Sequence, residues 1–263
     1  MARFVTLYSG SSGNSTLVSD SGTSLLVDMG QSCKKTINAL YEIGISASDL
    51  DGILVTHEHS DHVSGLMTFL KHYETPLYGS PKTLTYLKNH NLIPENAQTV
   101  ELEYNAPANI GSIGFQCFGT SHDSVDCVGY RFEMSNGKQV AVATDLGFVS
   151  DEVLESLCGC ELVGLESNYD ENMLRNGEYP SYLKNRIRSV LGHLSNSDCA
   201  LGAAQLAQKG TKRLVLMHLS SENNEPSMAL TSCLGALENI GVDSESIRVT
   251  VAPRHRVGEI IEL

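Results

Sequence analysis

Between Gly52 and His62 a short apolar run breaks abruptly into metal-ligand chemistry: Gly52-Ile-Leu-Val-Thr-His57-Glu58-His59-Ser60-Asp61-His62. Three histidines and an aspartate fall within six residues in the pattern H-x-H-x-D-H. Fold stability alone never requires this, because burying four such side chains without a cation is costly. In extended backbone, residues two apart project to the same side, so His57 and His59 can grip one ion. If the chain then turns into a helix capped by Ser60, Asp61 and His62 in its first turn can face a second ion. The plain alternative is a solvated polar loop. On the ligand reading, the fold ends an apolar strand at the mouth of a site.

The rest of the chain supplies the layers to support it. Short β-branched runs alternate with helical patterns, the signature of a layered α/β protein. Phe4–Tyr8, Thr16–Ser19 and Ser24–Val27 read as three successive strands without helices, hence an antiparallel meander. A helix follows with Ser32 as N-cap and Ile37, Leu40 and Tyr41 on one face. Gly52–Thr56 reads as a strand, followed by a helix through about Leu70. Ser80-Pro81 places a cap before a proline at the first helical position. Further strands are expected near 98–103, 113–119, 127–133, 139–144, 161–166, 213–217, 247–252 and 257–262. Helices fit 151–158, 180–190, 197–209 (ended by Gly210) and 226–239. Two groups of strands with helices outside imply a sheet-on-sheet sandwich. No linker or repeat divides the 263 residues, so residues 1–263 are expected to form one domain.

Composition narrows the class. Lys+Arg number 18 against 31 Asp+Glu, a formal charge of −13, so the average surface repels a phosphate backbone. The chain lacks Trp and is only 6% aromatic, which argues against a carbohydrate-stacking surface. Seven scattered cysteines suit reduced thiols, with Cys158-Gly-Cys160 read as structural. No apolar run is long enough to cross a membrane and the start MARFVTLYSGSSG lacks a signal-peptide core, so a soluble, cytoplasmic protein is expected.

Three more candidate ligands follow buried-looking strands: His122 in Gly119-Thr-Ser-His122, Asp145 in Val140-Ala-Val-Ala-Thr-Asp145, and His218 in Leu214-Val-Leu-Met-His218. Strand ends are where a rigid sheet presents functional groups. Each alone could be an ordinary hydrogen-bonded strand-end residue. Asp28, ending Leu25-Leu-Val-Asp28, could be a turn acid. His72 and His90 read as helix-surface residues.

Together, Asp28, the H-x-H-x-D-H segment, His122, Asp145 and His218 resemble the metallo-β-lactamase fold superfamily over nearly the whole chain. That resemblance implies a four-layer αββα sandwich with two divalent metal ions, Zn or Mn, at one edge. His57, His59 and His122 match the ligands of the first metal. Asp61, His62 and His218 match those of the second, Asp145 matches the bridging carboxylate, and Asp28 matches the acid that orients the His-rich loop. Mixed His and carboxylate ligation permits either metal.

The superfamily hydrolyses phosphodiesters, thioesters and lactams, and local features choose among them. Dinuclear β-lactamases generally lack the bridging Asp. Gly192-His193-Leu194-Ser195 and the strand ending at His218 resemble the phosphodiesterase branch that includes RNase Z. There His193 would assist phosphate chemistry as an acid, with Glu166 as its partner. As residues alone, His193 could be a helix-cap histidine and Glu166 a plain strand-end acid. Asp145 and His193 lie 48 residues apart, too close for a β-CASP cap domain. The 23 residues from His122 to Asp145 are too few for the RNase Z arm. Ser9-Gly-Ser-Ser-Gly-Asn14, Glu166-Ser-Asn168 and Gly192-His193-Leu194-Ser195-Asn196 look instead like the compact YycJ (WalJ)-like group. That implies a 5′-to-3′ DNA exonuclease in a DNA-repair or cell-wall-regulatory setting, with a metal-bridging hydroxide as nucleophile and Asp61 positioning it or taking its proton. DNA is then expected over RNA as partner. Ser9 to Asn14 reads equally as an anion-binding turn or a structural hairpin. Three basic clusters, Lys184/Arg186/Arg188, Lys209/Lys212/Arg213 and Arg254/His255/Arg256, form a phosphate track only if they share the metal edge. Rival readings are a thioester hydrolase of the glyoxalase II kind and a non-catalytic, metal-stabilised regulatory protein. Oligomeric state is not readable.

Overall fold

The computed structural model describes residues 1–242 and 246–263. Two seven-stranded sheets stack face to face. The first is built from β1 (Arg3–Tyr8), β2 (Ser15–Asp20), β3 (Thr23–Val27), β4 (Gly52–Leu54), β5 (Leu77–Gly79) and β6 (Thr99–Glu101), with β14 (Ile261–Glu262) beside β1. The second holds β7 (Ala108–Ile110), β8 (Ile113–Gly119), β9 (Val128–Glu133), β10 (Gln139–Ala143), β11 (Leu162–Glu166), β12 (Arg213–Met217) and β13 (Arg248–Val251), adjacent in that order. The helices are α1 (Cys33–Glu42), α2 (Ser60–Val63), α3 (Leu66–Leu70), α4 (Pro81–Asn89), α5 (Asp151–Leu157), α6 (Glu171–Asn176), α7 (Ser181–Ile187), α8 (Asn196–Gln208) and α9 (Pro226–Asn239).

The period-two alternation of the strands sorts their side chains into three apolar layers. On β3, Leu25 and Val27 enter the seam between the sheets while Leu26 faces outward to Leu40, Phe69 and Leu84. On β12, Val215 and Met217 enter the same seam, and Leu214 and Leu216 face outward to Val153, Cys199, Ala203 and Leu237. Each sheet thus has one face on the other sheet and one under helices, the αββα arrangement that the sequence implied.

Each sheet joins antiparallel to parallel strands. β1, β2 and β3 form the expected meander, and β3 to β6 run parallel. β7 to β10 are antiparallel, and β10 to β13 parallel. The C-terminal ends of β3, β4, β8, β10, β11 and β12 consequently gather at one edge.

Several local expectations change. The helix expected through Leu70 is two short helices, and Ser60 is the first residue of α2, with His59 in the cap position and extended. Ser32 caps α1 as expected, but Tyr41 is exposed and only Leu40 of the expected face is fully buried. β5, β7 and α6 were not expected, being too short to show a period. The last strand shrinks to two residues. Ser80 and Gly210 perform as expected, the latter at φ 98°. His72 and His90 are exposed. All seven cysteines are free thiols. Among the described residues, no helix is long and apolar enough to cross a membrane.

Candidate metal centre

The gathered strand ends place every sequence-derived site residue in one cage. His57, His59 and His122 bring ligand atoms within 4.8 Å of one another, as do Asp61, His62 and His218. Asp145 joins His57 and His62 in a third such group and Glu166, His193 and His218 in a fourth. Asp145 therefore stands between the two triads: its Oδ2 is 3.2 Å from His62 Nε2, and its Oδ1 is 3.6 Å from His122 Nε2.

Backbone conformation delivers two of the acids and one histidine. Asp28, Asp145 and His218 all adopt positive φ (61°, 60° and 56°) directly after apolar strands. L-residues seldom hold the left-handed region, and strained positions of this kind concentrate at functional sites. At these three strand ends the turn swings a polar side chain across the sheet edge.

The histidines are held by their other ring nitrogens. Asp28 Oδ2 sits 2.7 Å from His62 Nδ1 and also accepts from Thr56 Oγ1 at 2.8 Å, while Asp28 Oδ1 accepts Thr56 N–H at 2.8 Å. Thr56 Oγ1, its proton committed to Asp28, lies 3.0 Å from His57 Nδ1. His122 Nδ1 faces Gly192 O at 2.9 Å, and His218 Nδ1 faces Glu166 Oε1 at 2.7 Å. Each of these Nδ1 atoms has an acceptor, so in the neutral ring the proton sits there and Nε2 faces the cage as a lone pair.

Glu166 does more than its sequence position implied. Its Oε1 serves both His218 and His193 (2.9 Å), and its Oε2 accepts from Leu146 N and Leu194 N. Glu166 is therefore more than a plain strand-end acid: it joins two histidines. His193 keeps Nε2 uncommitted on a partly exposed ring.

Electrostatics follow from packing Asp28, Asp61, Asp145 and Glu166 beside six histidines. Burial lowers the His57 pKa well below the ordinary imidazole range, helped by repulsion from His62. Burial also works against a charged His218, but Asp145, Asp61 and Glu166 outweigh it and push its pKa up to about 10. His62 is likewise raised, despite burial, by Asp145, Asp28 and Asp61. Burial opposes the charged form of Asp145 too, yet His218, His62 and His57 hold it well below the usual carboxylate range. Asp61 and Glu166 are likewise held below their ordinary values against burial by neighbouring histidines, whereas burial raises Asp28; the lowered acids demand cations, whether protons on histidine or metal ions.

Residue chemistry fits metal. His57 Nε2 and Asp145 Oδ2 are buried with no hydrogen-bond partner, although both aim into the cage. Unpaired buried acceptors are costly unless something cationic answers them. The donor set, imidazole nitrogen with carboxylate oxygen, is that of Zn and Mn sites.

Sequence reasoning missed Asn14 and Thr56 as members of the site. Asn14 Nδ2 lies 3.1 Å from His62 Nε2 and 3.4 Å from Asp61 Oδ2, although 47 residues separate Asn14 and Asp61. No local signal predicts that meeting. Ser9 Oγ accepts His218 N–H at 2.8 Å, and Asn168 Nδ2 donates to His218 O at 2.8 Å. The basic clusters divide. Arg186 forms an ion pair with Asp123 beside His122, and Arg254 lies against Gly10, so both reach the metal edge. Lys212 and Arg213 instead enter β12 at its start, where Lys212 pairs with Glu161. His218 follows the far end of the same strand, about 15 Å away, so the Lys209/Lys212/Arg213 cluster is not part of a track.

A two-sheet sandwich with this cage at its strand-end edge defines the class: a metal-dependent hydrolase of the metallo-β-lactamase fold. A model of the β-lactamase superfamily domain matches residues 23–219. The chain is 37% identical over 239 residues to a Bacillus anthracis protein named exodeoxyribonuclease YycJ, covering 90% of each. It is 38% identical over 247 residues to exodeoxyribonuclease WalJ of Streptococcus pneumoniae, covering 92% of this chain and 91% of that one. The chain belongs to the metallo-β-lactamase superfamily, in the group of YycJ and WalJ. Among solved structures, the metallo-β-lactamase fold protein YhfI of Bacillus subtilis matches with a TM-score of 0.74 at 17% identity, covering 98% of this chain and 99% of that one. Human short-form tRNase Z matches with a TM-score of 0.66 at 16% identity, covering 99% and 100%. At those identities the likeness concerns the fold.

Proposed function

We propose that the protein is a dinuclear, divalent-metal-dependent phosphodiesterase acting on DNA, as a 5′-to-3′ exonuclease. One observation carries the reading: seven candidate ligands form two triads on either side of Asp145, and the buried His57 Nε2 and Asp145 Oδ2 have no partner of their own. The identity to proteins named exodeoxyribonucleases supports DNA as substrate.

His57, His59 and His122 would hold one ion and Asp61, His62 and His218 the other, with Asp145 shared and either Zn or Mn accommodated. Bound there, two divalent ions supply Lewis acidity at the phosphorus and a hydroxide nucleophile at neutral pH. The chain's own residues do the rest. Asp61, fixed by Asn14 and His218, orients the attacking water or takes its proton. Glu166 holds His193 through Nδ1, so a protonated His193 can give its Nε2 proton to the leaving oxygen. Asp28 and Thr56 fix the rings of His62 and His57. The reading takes residues 1–263 as one domain in a cytoplasmic setting, in keeping with seven free thiols.

The test is digestion of end-labelled single- and double-stranded DNA and RNA, with 5′-phosphate or 5′-hydroxyl, under Zn²⁺ and Mn²⁺. Stepwise release from the 5′ end of DNA, lost in His59→Ala with its metal content, is the expected result. Thioester turnover without DNA cleavage, or metal binding without any turnover, would overturn it.

A further inference from the structure

Beyond the cage, the turn between β1 and β2 carries a feature that the cage does not use. Gly10 in Ser9-Gly-Ser-Ser-Gly-Asn14 adopts φ 126°, and a Cβ there would stand 2.9 Å from Leu219 O and 3.1 Å from an Arg254 guanidinium nitrogen. The guanidinium therefore lies directly on the turn. Arg254 is partly buried, yet among the described residues no hydrogen bond or ion pair engages its five N–H donors. Burial pulls its pKa down, opposed through space by the Glu222 carboxylate, which makes no ion pair with it. A desolvated guanidinium with no acceptor is an unfilled requirement for an anion.

Its surroundings fit one class of anion. Ser11 and Ser12 are exposed at the turn tip. Tyr179 stands beside Ser220, two residues after His218. The turn is bolted to the cage: Gly10 N donates to Asn14 Oδ1 at 2.8 Å, Asn14 Nδ2 reaches His62 Nε2, and Ser9 Oγ takes His218 N–H. Arg254 thus lies against a turn that is held on the His218 side of the metal centre, where the Gly10 position also meets Leu219 O. Hydroxyls, backbone donors and one fork-shaped cation recognise phosphate oxygens. In a chain of formal charge −13, an arginine with no hydrogen-bonded acceptor among the described residues favours an anion at that place.

We infer that Arg254, with the Ser11–Ser12 turn, forms a second phosphate subsite that binds a DNA phosphate neighbouring the one cleaved. This rests on the DNA-hydrolase reading. The phosphate could be a terminal monoester or an internal diester, and the substrates separate the two.

The experiment compares metal-loaded wild type, Arg254→Gln and Arg254→Lys on oligonucleotides bearing 5′-phosphate, 5′-hydroxyl or 3′-phosphate, and on bis(p-nitrophenyl) phosphate, which has no second phosphate. Arg254→Gln should raise KM for DNA about 10- to 100-fold, the loss of charge-assisted bonds, with kcat, Tm and hydrolysis of the small diester unchanged. Arg254→Lys should recover part of the loss. An effect confined to 5′-phosphorylated DNA assigns a terminal monoester; an equal effect on all ends assigns an internal diester. Unchanged KM on every oligonucleotide, or a parallel loss on the small diester, overturns the subsite. Should wild type cleave no DNA, the functional reading fails separately. The subsite is then judged by calorimetry with inorganic phosphate, in which Arg254→Gln must bind one equivalent fewer than wild type.

Discussion

Replacing Gly30 by alanine tests whether the cage is held by backbone contact. Gly30 lies where the chain leaving Asp28 crosses behind α2, and its N–H donates to Asn14 O at 2.9 Å. A Cβ built there falls 1.7 Å from Asp61 O, 2.4 Å from Asp61 C and 2.6 Å from Asn14 N. All three are backbone atoms, so no side chain can rotate out of the way. Real Cβ contacts do not go under 3.0 Å, so the Asp61 carbonyl must retreat by about 1.3 Å. That carbonyl accepts Asn14 N–H at 2.7 Å, and the Asp61 carboxylate attached to the same residue lies 3.3 Å from His218 Nε2. Displacing a catalytic group by about 1 Å can cost about 100-fold in rate. Freeing Asn14 N–H in the interior adds about 1–3 kcal/mol of instability, or about 2–4 °C in Tm for each kcal/mol. Gly30→Ala should therefore lose at least about 100-fold in kcat/KM on both DNA and bis(p-nitrophenyl) phosphate, with a lower Tm and less bound metal. Gly235→Ala is the control, since nothing lies within 4 Å of its Cβ position in α9; it should keep full activity and gain up to about 1 kcal/mol. Wild-type turnover and Tm in Gly30→Ala would refute the reasoning, because they would show that the Asp61 backbone is free to move.

Other perturbations probe the same architecture. Asp28→Asn replaces an acceptor-only group that receives Thr56 N–H, Thr56 O–H and His62 Nδ1–H; metal affinity in chelator competition should fall about 10- to 100-fold, and unchanged affinity would deny Asp28 its orienting role. Chelation should lower Tm reversibly, since ions bound only by the folded state add about 2.7 kcal/mol at a free concentration 100 times Kd; a melt indifferent to chelator would mean that the cage is stable without metal. Asp20, away from the cage, gives a pH test. Burial works to raise its pKa, but hydrogen bonds from Ser135 and Ser21 prevail and hold it below the ordinary carboxylate value. A depressed folded pKa stabilises above the unfolded value of about 3.9 and is lost as pH falls through the folded one. Asp20→Asn should thus lower Tm at pH 7 and approach wild type in strong acid, whereas an equal deficit at both pH values would exclude the titration.

How much was legible in the sequence varied with range. Short continuous apolar runs such as Val140-Ala-Val-Ala, and capped helices such as those after Ser32 and Ser80, announce themselves, because their signals are local. The H-x-H-x-D-H run is likewise local, and its spacing matches the two triads. Three-residue strands such as β5 and β7 carry no periodicity and are made by the sheet that they join. Tyr41 was misplaced because α1 buries a narrower face than its apolar pattern suggests. The basic clusters were undecidable, since their value depends on which end of a strand they occupy.

The sequence alone determined the chemistry on offer: which imidazoles and carboxylates exist, and that Asp28, Asp145, Glu166 and His218 close apolar strands. Only the tertiary structure decided their assembly. It placed Asn14 against Asp61, let one Glu166 oxygen serve both His193 and His218, left His57 Nε2 and Asp145 Oδ2 unanswered, and laid Arg254 on the Ser-Gly turn. Periodicity and capping are written in neighbouring residues, whereas partners 47 or 52 positions apart meet only because parallel strands of two stacked sheets end at one edge.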